Sequence, residues 1–195
     1  MTYIVVGVPI LLLVALGLFA AVSFLKQPSL QNGVNAPQSS ASSTVVEHYD
    51  NATYGIAFDY PLGYVLDAKE RGDGHRGHYG IVLIREEDSA PRVDSEGPTA
   101  ISIDLYQNDL DGQTLVGWLN GSSFSNFKLS DGTYASTTVG GKEAVTYHWS
   151  GLYEGETTAF LHNNNIVAVS VTFITPEDAN IDTYKKLLAS LKLSE

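Results

Sequence analysis

The stretch "YGIAFDYPLGY", residues 54–64, decides the fold class of this chain. As an extended segment it places aromatic or aliphatic side chains on one side only: Tyr54, Ile56, Phe58 and Tyr60. Alternation with a period of two predicts a β-strand that has one face against a hydrophobic core. Pro61 cannot donate a hydrogen bond to a neighbouring strand, and Gly63 permits a turn. We therefore expect this strand to be the first of the fold and to end at Pro61.

Further segments with the composition of strands fall into two groups along the chain. They are residues 64–70, 79–86 and 99–107 in the first group, and residues 134–139, 142–149, 156–162 and 166–174 in the second. The segment that begins at Tyr64 is expected to run antiparallel to the first strand. Gly140-Gly141 and the asparagines at 163–165 separate strands of the second group, and both residue types tolerate the positive φ angles of tight turns. The second group is therefore predicted to be a run of hairpins.

Two segments have helical rather than strand periodicity. In residues 114–120, Leu115, Trp118 and Leu119 recur at helical spacing, and Gly121 is a suitable stop. Near the end of the chain, Thr175 is the expected cap and Pro176 the expected first residue of a longer helix. Its apolar stripe is Ile181, Tyr184, Leu188 and Leu191. The sequence thus predicts an α+β fold, an antiparallel sheet with helices packed on its faces.

The N-terminal region differs from the rest of the chain. Residues 3–25 carry no charge and would form a helix of roughly 34 Å, long enough to span a bilayer. A cleaved signal peptide is the alternative, but no Lys or Arg precedes the apolar run. Residues 27–44 are uncharged and rich in Ser, Asn, Gln and Pro, which is typical of a flexible spacer. We therefore predict a single transmembrane anchor over 1–26, a disordered linker over 27–44 and a folded domain over 45–195.

Charge and cysteine content limit the partners of the domain. The chain has 11 Lys and Arg against 22 Asp and Glu, and Lys26 is the only Lys or Arg before Lys69, so residues 45–195 carry 10 − 22 = −12. Such a surface repels nucleic-acid phosphates, which excludes nucleic acid as an expected partner. The absence of cysteine excludes disulfides, thiolate metal sites and a Cys nucleophile. Lys26 favours a cytoplasmic domain, whereas the spacer favours the outer face of the membrane, and we expect the latter.

Three segments carry a family resemblance that covers most of residues 49–193. The opening Tyr54-Gly55, with Phe58, Tyr60 and Pro61, resembles the aromatic–Gly–x–x–Phe–x–Tyr–Pro start of the PsbP/Mog1-like superfamily, although Tyr64 stands where tryptophan is usual. "TTVGGKEAVTYHW" (137–149) resembles its Gly-Gly hairpin, and "YKKLLASLKL" (184–193) its closing helix and short strand. The resemblance implies an α/β/α sandwich. Known relatives include photosystem assembly or stabilising subunits and a Ran-binding protein, and none is known chiefly as an enzyme.

Candidate ligand residues occur in two loops. His75 and His78 lie in the glycine-rich "RGDGHRGHYG" (71–80), and Asp109 and Asp111 lie in "NDLDGQ" (108–113), which resembles the first half of a calcium loop. Neither set is complete, because a metal centre needs three or four ligands and the calcium loop lacks its bidentate Glu at position 120. These four residues are weak metal candidates, and we expect no cofactor, with calcium as the open exception.

No catalytic motif was found. The chain contains no Gly-x-Ser-x-Gly, Ser-x-x-Lys or His-Glu-x-x-His, and no glycine loop that would cradle a phosphate. His148 reads as a surface or sheet residue, and His162 is expected to be solvated beside the asparagine turn. We therefore expect a membrane-anchored, non-enzymatic envelope domain that binds a protein partner or stabilises a complex. The alternatives are a small-ligand or divalent-cation binding module and, third, a hydrolase with an unrecognised site.

Overall fold

A computed structural model of the protein describes residues 45–72, 74, 76–90, 96–108, 110 and 112–195. The predicted anchor (1–26) and linker (27–44) lie outside these residues. Among the described residues, no helix combines the length and apolar character needed to cross a membrane.

The described residues form strands in two sheets and two α-helices. The strands are β1 (Val46–Asn51), β2 (Ile56–Pro61), β3 (Tyr64–Glu70), β4 (His78–Arg85), β5 (Ile101–Gln107), β6 (Ala135–Val139), β7 (Lys142–Ser150), β8 (Glu154–His162), β9 (Asn165–Phe173) and β10 (Lys192–Leu193). The helices are α1 (Leu115–Gly121) and α2 (Ala179–Ser190), and short 3-10 turns cover Glu86–Asp88 and Asn126–Leu129. The larger sheet has the order β3-β4-β5-β9-β8-β7-β6, and the smaller one has the order β1-β2-β10. All pairings are antiparallel.

The opening stretch forms a strand as predicted, but its place in the fold was predicted wrongly. It is the second strand, because β1 precedes it and pairs with it, with Tyr49 opposite Phe58. The sequence of β1, "VEHYDN", is mostly exposed and lacks clear alternation, so it gave no strand signal. The segment from Tyr64 does not pair with the opening strand either, since it forms β3 at the edge of the larger sheet.

One face of the larger sheet holds the main hydrophobic core. Ile56 and Phe58 of β2 and Tyr184 and Leu187 of α2 are buried against it. The helix begins at Ala179 rather than at the predicted Pro176, because the Asp178 carboxylate accepts a hydrogen bond from the Asn180 amide (2.9 Å) and caps it.

The predicted stripe of α2 is rotated in the structure. Ile181 is only half-buried, whereas Asn180 and Thr183 are buried. The Tyr64 hydroxyl explains this rotation, since it donates to Asn180 Oδ1 at 2.7 Å and lies 3.2 Å from Thr183 Oγ1. A buried polar pair is tolerated when it is hydrogen-bonded, so the polar face of α2 turns inward at its start.

The second face of the larger sheet is covered by α1 and the 3-10 turn Asn126–Leu129. Trp118, Leu119 and Phe127 pack there against Tyr106 and Tyr147. Thr114 caps α1 by accepting from the Gly117 amide at 3.1 Å. The prediction of an antiparallel sheet with helices on its faces is therefore confirmed for the described residues.

Gly55 joins the two sheets at the start of the fold. Its φ is +64°, and an added Cβ would collide with the Ser194 carbonyl oxygen and lie 3.0 Å from His162 Nε2. The Gly55 carbonyl accepts hydrogen bonds from His162 Nε2 and from the Ser194 amide, both at 3.0 Å. His162 is buried, so the prediction that it is solvated was wrong. His162 is the last residue of β8, and its ring faces the Gly55 carbonyl just before β2.

Candidate binding surfaces

The structure describes only one of the four metal candidates. His78 begins β4 and lies half-buried, with Nε2 donating to Asp104 Oδ1 at 2.8 Å. His75, Asp109 and Asp111 lie outside the described residues, and so does any site that they complete. Within the described part, no group of three or more His, Asp or Glu side chains is arranged to hold a metal ion.

Gly77 of the first candidate loop is hydrogen-bonded to Gln107, the residue that precedes the second loop. The Gly77 amide donates to Gln107 Oε1 at 2.9 Å, and the Gln107 amide donates to the Gly77 carbonyl at 3.0 Å. Described residues of both loops border a cavity of about 430 Å³, here called the loop cavity. It is lined by Arg71, Gly72, Arg76, Gly77, His78, Tyr106, Leu110 and Phe124. Sequence reasoning identified both loops but did not anticipate that they share one cavity.

Stacked rings form one wall of the loop cavity. The His78 ring stacks on Tyr106 with centroids 4.4 Å apart, and Tyr106 stacks on Phe124 at 5.1 Å. Burial raises the pKa of Tyr106 above its ordinary value, so its hydroxyl stays neutral. The Arg71 side chain crosses β4 at Gly80, where an added Cβ would collide with it, and its guanidinium lies 3.3 Å from Asp67 Oδ2. The cavity thus combines an aromatic wall with a positioned cation.

A second concave surface lies between the start of α1 and strands β6, β7 and β8. It encloses about 820 Å³, and we call it the β6 groove. It is lined by Thr114, Leu115, Val116, Tyr134, Ser136, Thr137, Thr138, Glu143, Ala144, Val145 and Leu161. Val116, Tyr134 and Leu161 keep 41%, 43% and 41% of their surface exposed. Glu143 is the only acidic or basic side chain among these lining residues.

The β6 groove borders the start of α1, away from the helix's buried side chains. The helix has seven residues, and its buried side chains Trp118 and Leu119 reach the sheet near Tyr106. Leu161 lies on β8, and its neighbours Phe160 and His162 point to the opposite face and are buried. Leu161 lies in one groove with the start of α1 and remains exposed. Sequence alternation alone assigns such a residue to a core, so this surface was missed.

The described histidines do not form a nucleophile–base pair. The polar partner of each ring nitrogen contact is a carboxylate or a carbonyl. The pairs are His48 with Asp59, His78 with Asp104, His148 with Glu156 and His162 with the Gly55 carbonyl. His148 is 75% exposed at its side chain, which agrees with its prediction as a surface residue. None of the hydrogen bonds among the described residues joins a histidine to a serine or threonine hydroxyl.

Comparison with known proteins identifies the fold. No protein-family model and no curated protein matches this chain. Among solved structures, it is similar to the solution structure of cyanobacterial PsbP (CyanoP) from Synechocystis sp. PCC 6803. The TM-score is 0.50 at 10% sequence identity, over 82% of this chain and 99% of the other. The fold is PsbP-like.

The PsbP-like fold confirms the resemblance drawn from three sequence segments. The aromatic–glycine start becomes the Gly55 junction, and the Gly-Gly pair becomes the turn between β6 and β7, with φ angles of +55° and +79°. The closing segment becomes α2 and β10, and the Ser190 hydroxyl accepts from the Asp59 amide of β2 at 3.0 Å. At this level of identity the comparison establishes the fold alone.

Proposed function

We propose that the protein is a membrane-anchored, non-enzymatic domain of the cell envelope that binds a protein partner through the β6 groove. The observation that carries the proposal is that the exposed side chains of Val116, Tyr134 and Leu161 line one concave surface. Contiguous exposed apolar surface bounded by polar residues is typical of protein-interaction sites. Tyr134 adds an aromatic side chain of the kind that is enriched in such interfaces.

Electrostatics restrict the class of partner. Residues 45–195 carry a net charge of −12, which attracts basic proteins and repels nucleic acids and acidic proteins. Glu143 places one of these charges at the β6 groove. We therefore propose a neutral or basic protein as the partner.

The sequence of the N-terminal region supports the proposed location. An uncharged run over residues 3–25 is long enough to span a bilayer, and the uncharged spacer over 27–44 would hold the domain away from the lipid surface. We propose a single-pass protein of the cell membrane, with its domain on the outer side.

Site-specific crosslinking tests the proposed surface, because the chain has no cysteine and any introduced thiol is unique. Ser136→Cys places a thiol in the β6 groove, and Lys186→Cys places a matched thiol on the exposed face of α2. Each full-length variant is labelled in intact cells with a membrane-impermeant benzophenone maleimide and illuminated. We expect a discrete adduct with a second protein from position 136 and none from position 186.

A second substitution makes the crosslinking result decisive. Leu161→Asp, combined with Ser136→Cys, places a charge in the apolar part of the groove at a position that is already 41% exposed. We expect the adduct to disappear, while thermal unfolding of the purified variant stays cooperative. An adduct that persists with Leu161→Asp, or equal adducts from positions 136 and 186, would contradict the proposal.

The loop cavity favours a second candidate function, the binding of a small aromatic anion. Its volume of about 430 Å³ lies in the range of small-ligand sites, and Arg71 beside the Tyr106–Phe124 stack suits a planar ring that bears an acidic group. Anilinonaphthalene sulfonate serves as a fluorescent probe of this class. If the cavity binds it, Phe124→Ser reduces the fluorescence gain and Val116→Ser in the β6 groove does not. The reverse pattern would assign the probe to the groove.

A further inference from the structure

The outer edge of β6 borders the β6 groove and differs from the other edge of the same sheet. We infer that the partner adds an extended strand to β6, so that the sheet continues into the partner and alternate side chains enter the groove. This inference rests on the proposed function, because it specifies how the partner occupies that surface.

On one side of β6, the backbone amide and carbonyl groups have no neighbouring strand in the described sheet. β6 lies at the end of the sheet order and pairs with β7 one residue to one residue, from Ala135 opposite Thr146 to Val139 opposite Lys142, without a bulge. A two-residue turn closes this hairpin, so Val139 and Lys142 exchange both backbone hydrogen bonds. By alternation, the amide and carbonyl groups of Ser136 and Thr138 point outward. They offer a partner strand two donors and two acceptors.

The sequence of β6 lacks the features that protect exposed edges. Its five residues, "ASTTV", contain no charge and no proline, and its first four side chains are exposed. Natural sheets commonly guard their edges with charged residues, proline or bulges. The opposite edge, β3, follows this rule: Lys69 Nζ lies 2.6 Å from Asp67 Oδ2, and Arg71 bonds the same carboxylate. An unguarded edge beside an apolar groove is therefore typical of strand addition.

The chemistry of the groove defines the incoming strand. Side chains that face the groove would meet Val116 and Leu161, which favours aliphatic residues at alternate positions. Glu143 favours one lysine or arginine among them. A second copy of this chain is a poor occupant, since each domain brings a charge of −12 to the contact. The occupant is thus an extended segment of a different protein, with alternating aliphatic residues and a net positive charge.

Proline substitution at an outward-pointing position tests the backbone directly. Thr138→Pro removes the outward N–H but leaves the bonds from Thr137 and Val139 to β7, and edge strands tolerate proline in this orientation. Thr138→Val is the matched control, because it keeps both the shape and the N–H. In the crosslinking assay from Ser136→Cys, we expect Thr138→Pro to abolish the adduct and Thr138→Val to retain it.

A synthetic probe tests strand addition independently of any variant. The probe is a fluorescent peptide of about eight residues that alternates valine and threonine, ends in lysine and is N-methylated along one edge to prevent self-association. A control peptide is N-methylated along both edges. Anisotropy titration of the full-length protein in detergent should show binding of the first peptide and at least about tenfold weaker binding of the second.

The outcomes separate this inference from the proposed function. For the peptide that is N-methylated along one edge, we expect Thr138→Pro to lower the affinity by the same factor of about ten. Thr138→Val should leave this affinity unchanged. Equal binding of the two peptides, or no binding of either, would overturn strand addition. A crosslink from position 136 that survives Thr138→Pro but is lost with Leu161→Asp would overturn strand addition and leave the β6 groove as the partner's site. A dimer of the purified protein that Thr138→Pro dissolves would assign the edge to a second copy and overturn the choice of occupant.

Discussion

At the scale of single residues, Gly55 and His162 hold the start and the end of the fold together. The Gly55 carbonyl is bonded to the Ser194 amide and to His162 Nε2, and Asn163 Nδ2 donates to the Ser194 carbonyl at 2.9 Å. A turn residue, a buried imidazole and the residue that follows the last strand thus share one small set of hydrogen bonds. Residues far apart in the sequence depend on each other there.

We expect Gly55→Ala to destabilise the domain by about 3 kcal/mol, from left-handed backbone strain and from collision with Ser194. Gly63→Ala is the control, because Gly63 also has a positive φ (+89°) but an added Cβ meets no atom within 4 Å. It should cost only about 1 kcal/mol. Urea unfolding measures both, and equal losses would show that the contact with Ser194 contributes nothing.

His162 is expected to make stability depend on pH. Burial of the imidazole lowers the pKa of His162 below the ordinary value of 6.5, and the charge of Lys142 lowers it further. The hydrogen bond to the Gly55 carbonyl raises the pKa, but by less than burial lowers it. The unfolded chain therefore takes up the proton first as pH falls. The contribution of neutral His162 to the free energy of unfolding is complete above about pH 6.5. It is lost as the pH falls from there toward the folded-state pKa.

Unfolding free energies of the unchanged protein and of His162→Gln, measured between pH 7.5 and pH 5, isolate this contribution. Glutamine keeps a donor for the Gly55 carbonyl but does not titrate. We expect the difference between the two proteins to shrink as pH falls. A difference that is constant over this range would show that His162 does not titrate on unfolding.

At the scale of elements, caps and turns set where the helices begin. Thr175, Pro176 and Glu177 have the composition of a helix start, yet they form a turn in which the Asp178 amide donates to the Thr175 carbonyl at 3.1 Å. Asp178 then caps α2. Both Thr175 and Asp178 are good caps by residue type, so the choice between them depends on where the sheet places Asn180 and Tyr184.

Substitution of the two candidate caps tests this assignment. Asp178→Ala should cost about 1 kcal/mol, since it removes the bond to the Asn180 amide. Thr175→Ala should change the free energy of unfolding by less than about 0.5 kcal/mol, because Thr175 is exposed. The reverse order, measured by thermal or urea unfolding, would restore the cap predicted from the sequence.

At the level of the whole molecule, we expect the proposed anchor to hold the acidic domain at the membrane. If residues 3–25 span the membrane, the full chain should stay in the membrane pellet after carbonate extraction, whereas a chain that begins at residue 45 should be soluble. Protease added to intact cells should remove the domain of the full chain. Protection from protease would place the domain on the inner side and contradict the proposed location.

The sequence by itself determined the class of the fold and most of its elements. Local patterns were sufficient for β2, the β6–β7 turn at Gly140-Gly141 and α1, because alternation, turn residues and capping act over a few neighbours. They were insufficient for β1, which is mostly exposed and carries no apolar alternation. The small sheet and the place of β3 at an edge could not be predicted, since strand order depends on contacts between distant segments.

Which residues form surfaces depends on contacts between segments that are distant in the chain. Arg71, Gly77 and Leu110 line one cavity, His162 is turned inward, and Leu161 and β6 are left uncovered. The physical reason is that burial is a property of what lies opposite a residue. An apolar residue in an alternating strand looks the same whether a helix covers it, as Trp118 covers Tyr106, or a helix starts beside it and leaves it exposed, as α1 does at Leu161.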